Sequence, residues 1–457
     1  MIKKNEIITL EIDSITNLGF GVGRYNGIVV FVSGAVTGDV AEIKIIKTAA
    51  SYCVGRIEKI IRKSNLRVSD RCEISGCTSC AYKCVNYVHE CELKETDVKT
   101  AFSKANLPDV KIMPLVPSPK LKGYRNKAQY PIKLDKNGEY VVGFYAPKSH
   151  RVTEARKCPL LPEIFSEIID TATALFKERS LSVYNEESGE GLLRHIYLRR
   201  GEISGEILFT LVINGDTIPG ADEFAKELTK RHPEIVGVLI NVNKEDTNVI
   251  LGEKFILLTG RDYIYDTLSG VKLKITAPSF YQVNHEACEL LYKKAKELAM
   301  PTHDDVLLDL FCGAGSIGLS MASEVKELIG IEIVESAVEC AKENALANVI
   351  SNAKFYTGDA SNIENLLKNA EAELGRKIEP DIIVFDPPRA GCTEVLLNFV
   401  ANLNPKRIVY ISCNPQTLAR DAKILSELGY NIGEVTPFDL FPMTGHVESV
   451  VCLEKRT

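Results

Sequence analysis

The sequence predicts a multidomain chain: an N-terminal OB-like β-barrel, an α+β central domain with a cysteine cluster, and a C-terminal α/β domain of Rossmann-like type. Three observations predict it. Short strand patterns separated by glycines crowd the chain up to about Arg62. Cysteines bunch between Cys72 and Cys84. After about Gly270, apolar strands alternate with helical patterns, the signature of a parallel sheet covered on both faces. The expected divisions are therefore 1–62, 63–270 and 271–457.

Composition narrows the class. Hydrophobic residues make up 45% of the 457 residues and charged ones 25%, ordinary values for a globular protein. The start, Met1-Ile2-Lys3-Lys4-Asn5-Glu6, lacks the apolar core of a signal peptide, and no apolar run is long enough to span a bilayer. A cytoplasmic protein without membrane contact is expected. In that reducing compartment 13 cysteines point to metal binding or catalysis rather than disulfides. The net charge of -6 excludes indiscriminate nucleic-acid binding but allows a local basic surface.

The barrel strands are expected at Ile7–Ile12, Gly27–Val32 and Asp39–Ile45, with Gly19–Arg24 as a glycine-rich turn. The stretch GFGVGRYNGIVVFVSGAVTGDVAEIKI resembles the TRAM domain, an RNA-binding barrel of several RNA-modifying enzymes. Next, Cys72-x4-Cys77-x2-Cys80 packs three thiols into one tight loop, and thiolates are ligands of zinc and of iron–sulfur clusters. A fourth ligand is needed. Cys84 is the near candidate and Cys158, followed by Pro159, the far one; spacing does not separate iron–sulfur from zinc. A charged helix follows at about Cys91–Ala105. Leu121–Tyr130 and Leu193–Arg200 interleave cations with aromatics, the composition of a nucleic-acid surface, although basic strands are more often merely solvated. Strands at Tyr140–Tyr145 and Glu206–Ile213 and helices at Ile164–Arg179 and Asp222–Arg231 complete an α+β domain.

In the last domain, strands are expected at Val306–Leu310, Glu327–Glu332, Ala353–Tyr356, Ile382–Asp386 and Arg407–Ser412, with a terminal hairpin from Asn431–Thr436 and Val447–Leu453. Ligands bind outside the carboxyl ends of such strands. The loop Phe311-Cys312-Gly313-Ala314-Gly315-Ser316-Ile317-Gly318 permits close backbone approach. Glu332 ends the second strand, where an acid holds ribose hydroxyls. Asp359 follows the third and is placed for an adenine amine. Asp386-Pro387-Pro388-Arg389 ends the fourth. Helix capping also explains acids at strand ends. Together, though, the set looks like the S-adenosylmethionine site of a class I methyltransferase.

Cys413, between Ser412 and Asn414-Pro415, ends the fifth strand. A lone cysteine there also reads as a small buried hydrophobe. Its company favours covalent chemistry. Carbon 5 of uracil becomes nucleophilic when a thiolate adds to carbon 6, and a base must then remove the carbon-5 proton. Glu448, at the mouth of the hairpin, is the candidate base, with His446 as runner-up.

The chain resembles the RNA uracil-5-methyltransferase family, specifically bacterial 23S rRNA members with a TRAM domain and a [4Fe–4S] cluster. The motifs stand as Ser279-Phe280-Tyr281-Gln282-Val283-Asn284, the Phe311 glycine loop, Asp386-Pro387-Pro388-Arg389-Ala390-Gly391, Ser412-Cys413-Asn414-Pro415 and Gly445-His446-Val447-Glu448. The resemblance implies that Cys413 is the nucleophile and Glu448 the proton acceptor. It implies that Gln282, Phe311, Ser316, Glu332, Asp359 and Asp386 line the methyl-donor site, and that Cys72, Cys77, Cys80 and Cys158 hold the cluster. The expected partner is RNA, chiefly 23S rRNA flipped at the target base, bound by the barrel and the Tyr124–Lys127 region. No obligate protein partner is expected, and the chain should act as a monomer.

Rival readings are tRNA methylation at position 54, RNA cytosine-5 methylation and a non-enzymatic iron–sulfur RNA-binding protein. RNA cytosine enzymes usually place cysteine directly after Pro-Pro, where Arg389 stands here. Amino-group methyltransferases place an aromatic there.

Overall fold

Three sheets, each backed by its own hydrophobic core, are joined through one irregular loop and the helix beside it. The computed structural model describes residues 2–456 except 70, 75, 147–148 and 360–362. The first sheet contains β1 (Ile7–Glu11), β2 (Ser14–Ile15), β3 (Phe20–Tyr25), β4 (Ile28–Ser33), β5 (Val40–Thr48) and β6 (Tyr52–Arg62), in the order β1-β5-β6-β4-β3-β2. Period-two alternation sends Ile8, Leu10, Val30, Val32, Ala41, Ile43 and Ile45 into one core. The glycine run expected as a turn is instead strand β3. Its glycines serve close packing: a Cβ on Gly21 would stand 2.7 Å from the Ala35 Cβ, and one on Gly23 would stand 2.4 Å from the Glu11 carbonyl oxygen.

Asn86 caps α1 (Tyr87–Lys104), its side chain accepting from the His89 N–H at 2.8 Å. The helix therefore starts four residues before the expected Cys91. Val98, Ala101 and Phe102 pack into the core of the C-terminal sheet.

The central sheet contains β7 (Lys127–Leu134), β8 (Tyr140–Tyr145), β9 (Val152–Glu154), β10 (Leu193–Arg200), β11 (Ile207–Ile213), β12 (Ile235–Val242) and β13 (Lys254–Gly260), in the order β13-β12-β11-β10-β7-β8-β9. Helices α2 (Glu163–Glu178) and α3 (Ala221–Arg231) cover one face through Phe165, Ile169, Phe176 and Phe224. β10 corrects the expectation of an exposed basic strand. Arg199 is 0% exposed, and its Nη2 donates to the Ser279 carbonyl at 2.5 Å and to the Tyr197 hydroxyl at 2.9 Å. Tyr124 is likewise buried rather than RNA-facing, with its hydroxyl donating to the Pro442 carbonyl at 3.0 Å.

A hairpin, β14 (Tyr263–Leu268) with β15 (Val271–Thr276), leads into the last domain, and the expected division at 270 falls on its turn. There follow α4 (His285–Ala299), β16 (Val306–Leu310), α5 (Ser316–Met321), β17 (Glu327–Glu332), α6 (Glu335–Ala347), β18 (Ala353–Thr357), α7 (Ile363–Leu374), β19 (Ile382–Phe385), α8 (Glu394–Leu403), β20 (Arg407–Ser412), α9 (Pro415–Glu427), β21 (Tyr430–Ile432), β22 (Thr436–Phe438) and β23 (Glu448–Lys455). The sheet order is β18-β17-β16-β19-β20-β23-β21, and β22 also pairs with β23. The strands from β16 to β20 pair in parallel; β23 runs antiparallel to β20. Among the described residues no helix is long and apolar enough to cross a membrane.

Helix α1 is fixed to the loop between β22 and β23 by buried charge. The Lys94 ammonium, fully buried, donates to Glu90 at 3.0 Å, to Asp439 at 2.7 Å and to the Phe441 carbonyl at 3.1 Å. Removing one member of a buried ion pair leaves uncompensated charge. Lys94→Ala should therefore lower stability by about 3–5 kcal/mol, measured by urea unfolding; a loss within that of a surface substitution would sink this account.

Candidate active site

Parallel strands bring their carboxyl ends to one edge, so residues distant in sequence meet there. Phe311 follows β16, Glu332 ends β17, Asp359 follows β18, Asp386 follows β19 and Cys413 follows β20. Because β23 is antiparallel, it contributes its first residue instead. Ser412 lies opposite Ser449, which sets Cys413 beside Glu448 across the same register.

The donor loop is shaped by backbone conformation. Phe311, Gly313 and Gly315 have φ of +64°, +54° and +82°, the left-handed region that glycine occupies without penalty. Nothing lies within 4 Å of where a Gly313 Cβ would stand. Glu332 holds the turn, one carboxylate oxygen accepting from the Gly313 N–H at 3.1 Å and the other from the Val334 N–H at 2.9 Å. Ser316 shares a hydrogen bond of 2.9 Å with the Tyr292 hydroxyl. Asp359 is exposed at the rim, next to residues 360–362, which lie outside the described residues. Gln282 is buried, and its carbonyl accepts from the Asn126 side chain at 2.8 Å. Asn284 locks the same segment, donating to the Leu440 carbonyl at 3.0 Å and the Ser118 hydroxyl at 3.1 Å.

Two acids on this edge, Glu448 and Asp386, hold their protons tightly. Glu448 is 4% exposed, and burial followed by the charge of Asp386 carries its carboxyl well above the ordinary range, with Arg389 opposing. Burial pushes Asp386 up to about 7. The Cys413 thiol is pushed up to about 11 by burial, Glu448 and Asp386, while Arg389 pulls it down. These terms place Arg389, Glu448, Asp386 and Cys413 within one another's fields. His446 lies with its ring nitrogens 3.4 and 3.5 Å from the Arg389 guanidinium, and burial and that cation lower its pKa. His446 thus faces the arginine, whereas Glu448 is the acid that Cys413 senses most.

Sequence reasoning missed two residues. In the sequence Arg389 counts only as standing where other methyltransferases have an aromatic or a cysteine, although a cation beside a thiol is itself a signal. Asp309 interrupts the apolar strand Val306–Leu310, and that interruption was visible. It is fully buried, one oxygen accepting from the Gly318 N–H at 3.0 Å and the other without a partner, and burial with Asp386 and Glu332 pushes it up to about 8.

The cysteine loop lies on the far side of the 439–446 loop. Cys72, Cys77 and Cys158 all raise the pKa of Cys80, to about 12, after burial. Cys158, near 11, senses Cys72 and Cys77. Cys84 instead interacts with Arg67, and Cys91 sits on α1 near Tyr87 and Asp439. Among the described residues no three Cys, His, Asp or Glu are gathered so as to hold a metal ion. The four thiols are electrostatic neighbours without closing on one point.

This fold and edge define an S-adenosylmethionine-dependent methyltransferase with an appended β-barrel. The tRNA (Uracil-5-)-methyltransferase family model matches residues 86–456, and the TRAM domain matches residues 3–57. A protein of Clostridium acetobutylicum, named as an RNA methyltransferase, is 38% identical over 458 residues, covering 99% of this chain and 98% of the relative. One from Bacillus cereus, similarly named, is 37% identical over 456 residues, covering 99% and 98%. The solved Pyrococcus abyssi tRNA (uracil-54, C5)-methyltransferase with S-adenosyl-L-homocysteine superposes with a TM-score of 0.76 at 27% identity, covering 98% of this chain and 100% of that one. The chain belongs to the RNA uracil-5-methyltransferase family and is an enzyme of that class.

Arg389→Ala should raise the Cys413 pKa further and slow its alkylation by iodoacetamide several-fold at pH 8. In both proteins the rate should climb as pH rises toward the thiol pKa. Equal rates at every pH would mean that guanidinium and thiol do not communicate.

Proposed function

We propose that this enzyme methylates carbon 5 of a uridine in 23S rRNA through a covalent bond from Cys413 to the base. The observation that carries the reading is the pairing of Cys413 with the buried acid Glu448, across the β20–β23 register and beside Asp386. The Cys413 sulfur adds to carbon 6, and the ring electrons move to make carbon 5 nucleophilic. S-adenosylmethionine supplies a methyl group on a positively charged sulfur, and that carbon–sulfur bond breaks as the new carbon–carbon bond forms. Glu448 then takes the carbon-5 proton, the ring electrons return, and Cys413 leaves as thiolate. A high proton affinity suits Glu448 to that step. Arg389 partly offsets burial and the two acids, which together raise the proton affinity of Cys413.

The donor site fits its ligand by the open space at Gly313 and the buried, unpartnered oxygen of Asp309. Gln282, Phe311, Ser316, Glu332, Asp359 and Asp386 would line it. Cys72, Cys77, Cys80 and Cys158 are of the ligand type of a [4Fe–4S] cluster, with zinc as the alternative, and would have to close on one point to hold either. Such a group, when bound, would brace the cysteine loop and take no part in methyl transfer. Iron and sulfide in purified protein support the first; zinc alone supports the second. We keep the divisions 1–62, 63–270 and 271–457, with the barrel as RNA-binding module and the chain acting as a monomer.

Transfer RNA is the second reading, favoured by the likeness to the Pyrococcus abyssi tRNA (uracil-54, C5)-methyltransferase. That likeness covers 98% of this chain, so the barrel does not separate the two substrates. The ribosomal reading rests on the motif resemblance; the bacterial relatives at 37% and 38% identity are named as RNA methyltransferases and fit either substrate.

RNA carrying tritium at uracil carbon 5 tests both. Wild type should release tritium from unmodified ribosomal RNA, and Cys413→Ala should release none. Glu448→Gln should stall as a protein–RNA adduct visible on a denaturing gel. Release from transfer RNA alone would overturn the substrate; release by Cys413→Ala would overturn the covalent step.

A further inference from the structure

A second cleft, of about 1260 Å³, opens on the central sheet, and none of its lining residues belongs to the methyltransferase sheet. Its floor is β10, the strand that also touches the donor side. His195, Tyr197 and Arg199 alternate onto one face. At Arg199 that face is covered by the Ala277–Ser279 segment, just before Gln282. At His195, about 13 Å along the strand at 3.3 Å per residue, the cover ends and the cleft begins.

The walls combine aromatic rings with groups that are already spent and groups that are not. Lys133 pairs with Glu186 at 3.0 Å, and His150 pairs with the same carboxylate at 2.5 Å. The Arg194 guanidinium is held by the carbonyls of Asn243 at 2.7 Å and Glu245 at 2.8 Å, stacked 4.4 Å over the Tyr184 ring. Glu187 and Asp246 add negative charge to the rim. Among the described residues the lysine is paired with a carboxylate and the Arg194 N–H groups are taken up by carbonyls.

Two rings remain open to a ligand, although the Tyr145 hydroxyl already donates to Glu186 at 3.1 Å. His195 is 7% exposed and lines the cleft, and among the described residues neither of its ring nitrogens, both buried at the cleft wall, has a hydrogen-bond partner. Burial and Arg194 push its pKa down to about 4, so at neutral pH the ring offers one donor and one acceptor. Tyr145 packs edge-to-face with both His195 and His150, at centroid separations of 6.4 and 6.2 Å, and is still 38% exposed. A planar ring with its own donors and acceptors satisfies both. Carboxylates at the rim favour a ring bearing an exocyclic amine, as acids do with cytosine. They disfavour phosphate.

We propose that this cleft is a second RNA subsite, which takes an unstacked, amino-bearing nucleobase of the single-stranded RNA near the target uridine, stacked on Tyr145 and hydrogen-bonded by His195. The inference rests on RNA being the substrate, ribosomal or transfer, and not on which. The cleft would hold the strand in register while the target base occupies the catalytic edge.

Fluorescence anisotropy tests it with full-length protein, S-adenosylhomocysteine and labelled oligocytidylate and oligouridylate of equal length. Tyr145→Ala should weaken oligocytidylate binding about 10-fold, the scale of losing one base–aromatic stack, and leave oligouridylate unchanged. Tyr145→Phe, which keeps the ring, should restore it; His195→Phe should weaken it without restoring. Equal affinities in wild type and Tyr145→Ala, or equal losses for both oligonucleotides, would overturn the subsite. Tritium release from uracil, measured on the same preparations, separates the two readings. Release with no effect of Tyr145 on binding defeats the subsite alone, and a cytidylate-specific effect without release defeats the uracil chemistry alone.

Discussion

A single buried ammonium holds the structure's working parts together. Lys94, on α1, faces two carboxylates from opposite sides, Glu90 on its own helix and Asp439 on the loop before β23. Neither acid has a free oxygen to spare. Glu90 also receives Arg71 at 2.6 Å and the Met443 N–H at 2.6 Å. Asp439 receives the Tyr87 hydroxyl at 2.9 Å and the Phe441 N–H at 3.0 Å. Burying three charges is costly unless geometry and hydrogen bonding are nearly complete. Here they are, and completeness makes the arrangement intolerant of change.

That intolerance specifies an irregular loop. Residues 439–446 have no ladder of their own, and Met443 stands at φ +71°, unfavourable for a side chain of its kind. Such a conformation persists only where surroundings over-determine it. The Met443 carbonyl accepts from Tyr82 at 2.9 Å, and its side chain packs with Cys72, Tyr124 and Leu160. Gly445 comes so near the barrel that a Cβ there would stand 1.8 Å from the Asn17 carbonyl oxygen. Gly19 presses on Ala81 of the cysteine loop in the same way. Barrel, cysteine loop and α1 therefore all bear on the segment that ends at Glu448.

What the sequence made legible follows from how local each cause is. The parallel strands were readable because their apolar runs end in turn residues, and β20 was expected and found at Arg407–Ser412. Cys72, Cys77, Cys80 and Cys158 were grouped across a long gap by motif resemblance; they are electrostatic neighbours, but among the described residues they do not gather as metal ligands. Readings failed where the cause was distant. Glycines at 21 and 23 looked like a turn because what crowds them, Ala35 and Glu11, comes from other strands. Arg199 looked solvated because its acceptors, Ala277 and Ser279, come from another domain. A basic residue in sequence does not announce whether a carbonyl awaits it.

The same distinction bears on the catalytic edge. Burial raises the proton affinity of Asp309, Asp386 and Glu448, and the charge of Asp386 adds to it at Asp309 and Glu448, with Arg389 as the cation opposing at Cys413 and Glu448. In the proposed reaction this crowding has a direction. A positive sulfonium in the cleft favours the ionised acids, so Glu448 stands ready as a base. Once the methyl group has moved and that positive charge is gone, the remaining acids press a proton onto Glu448, at the step where carbon 5 must lose one. The excess of carboxylates that keeps Cys413 protonated at rest is the same field that then drives proton removal, and Arg389 is placed where it moderates the first without cancelling the second.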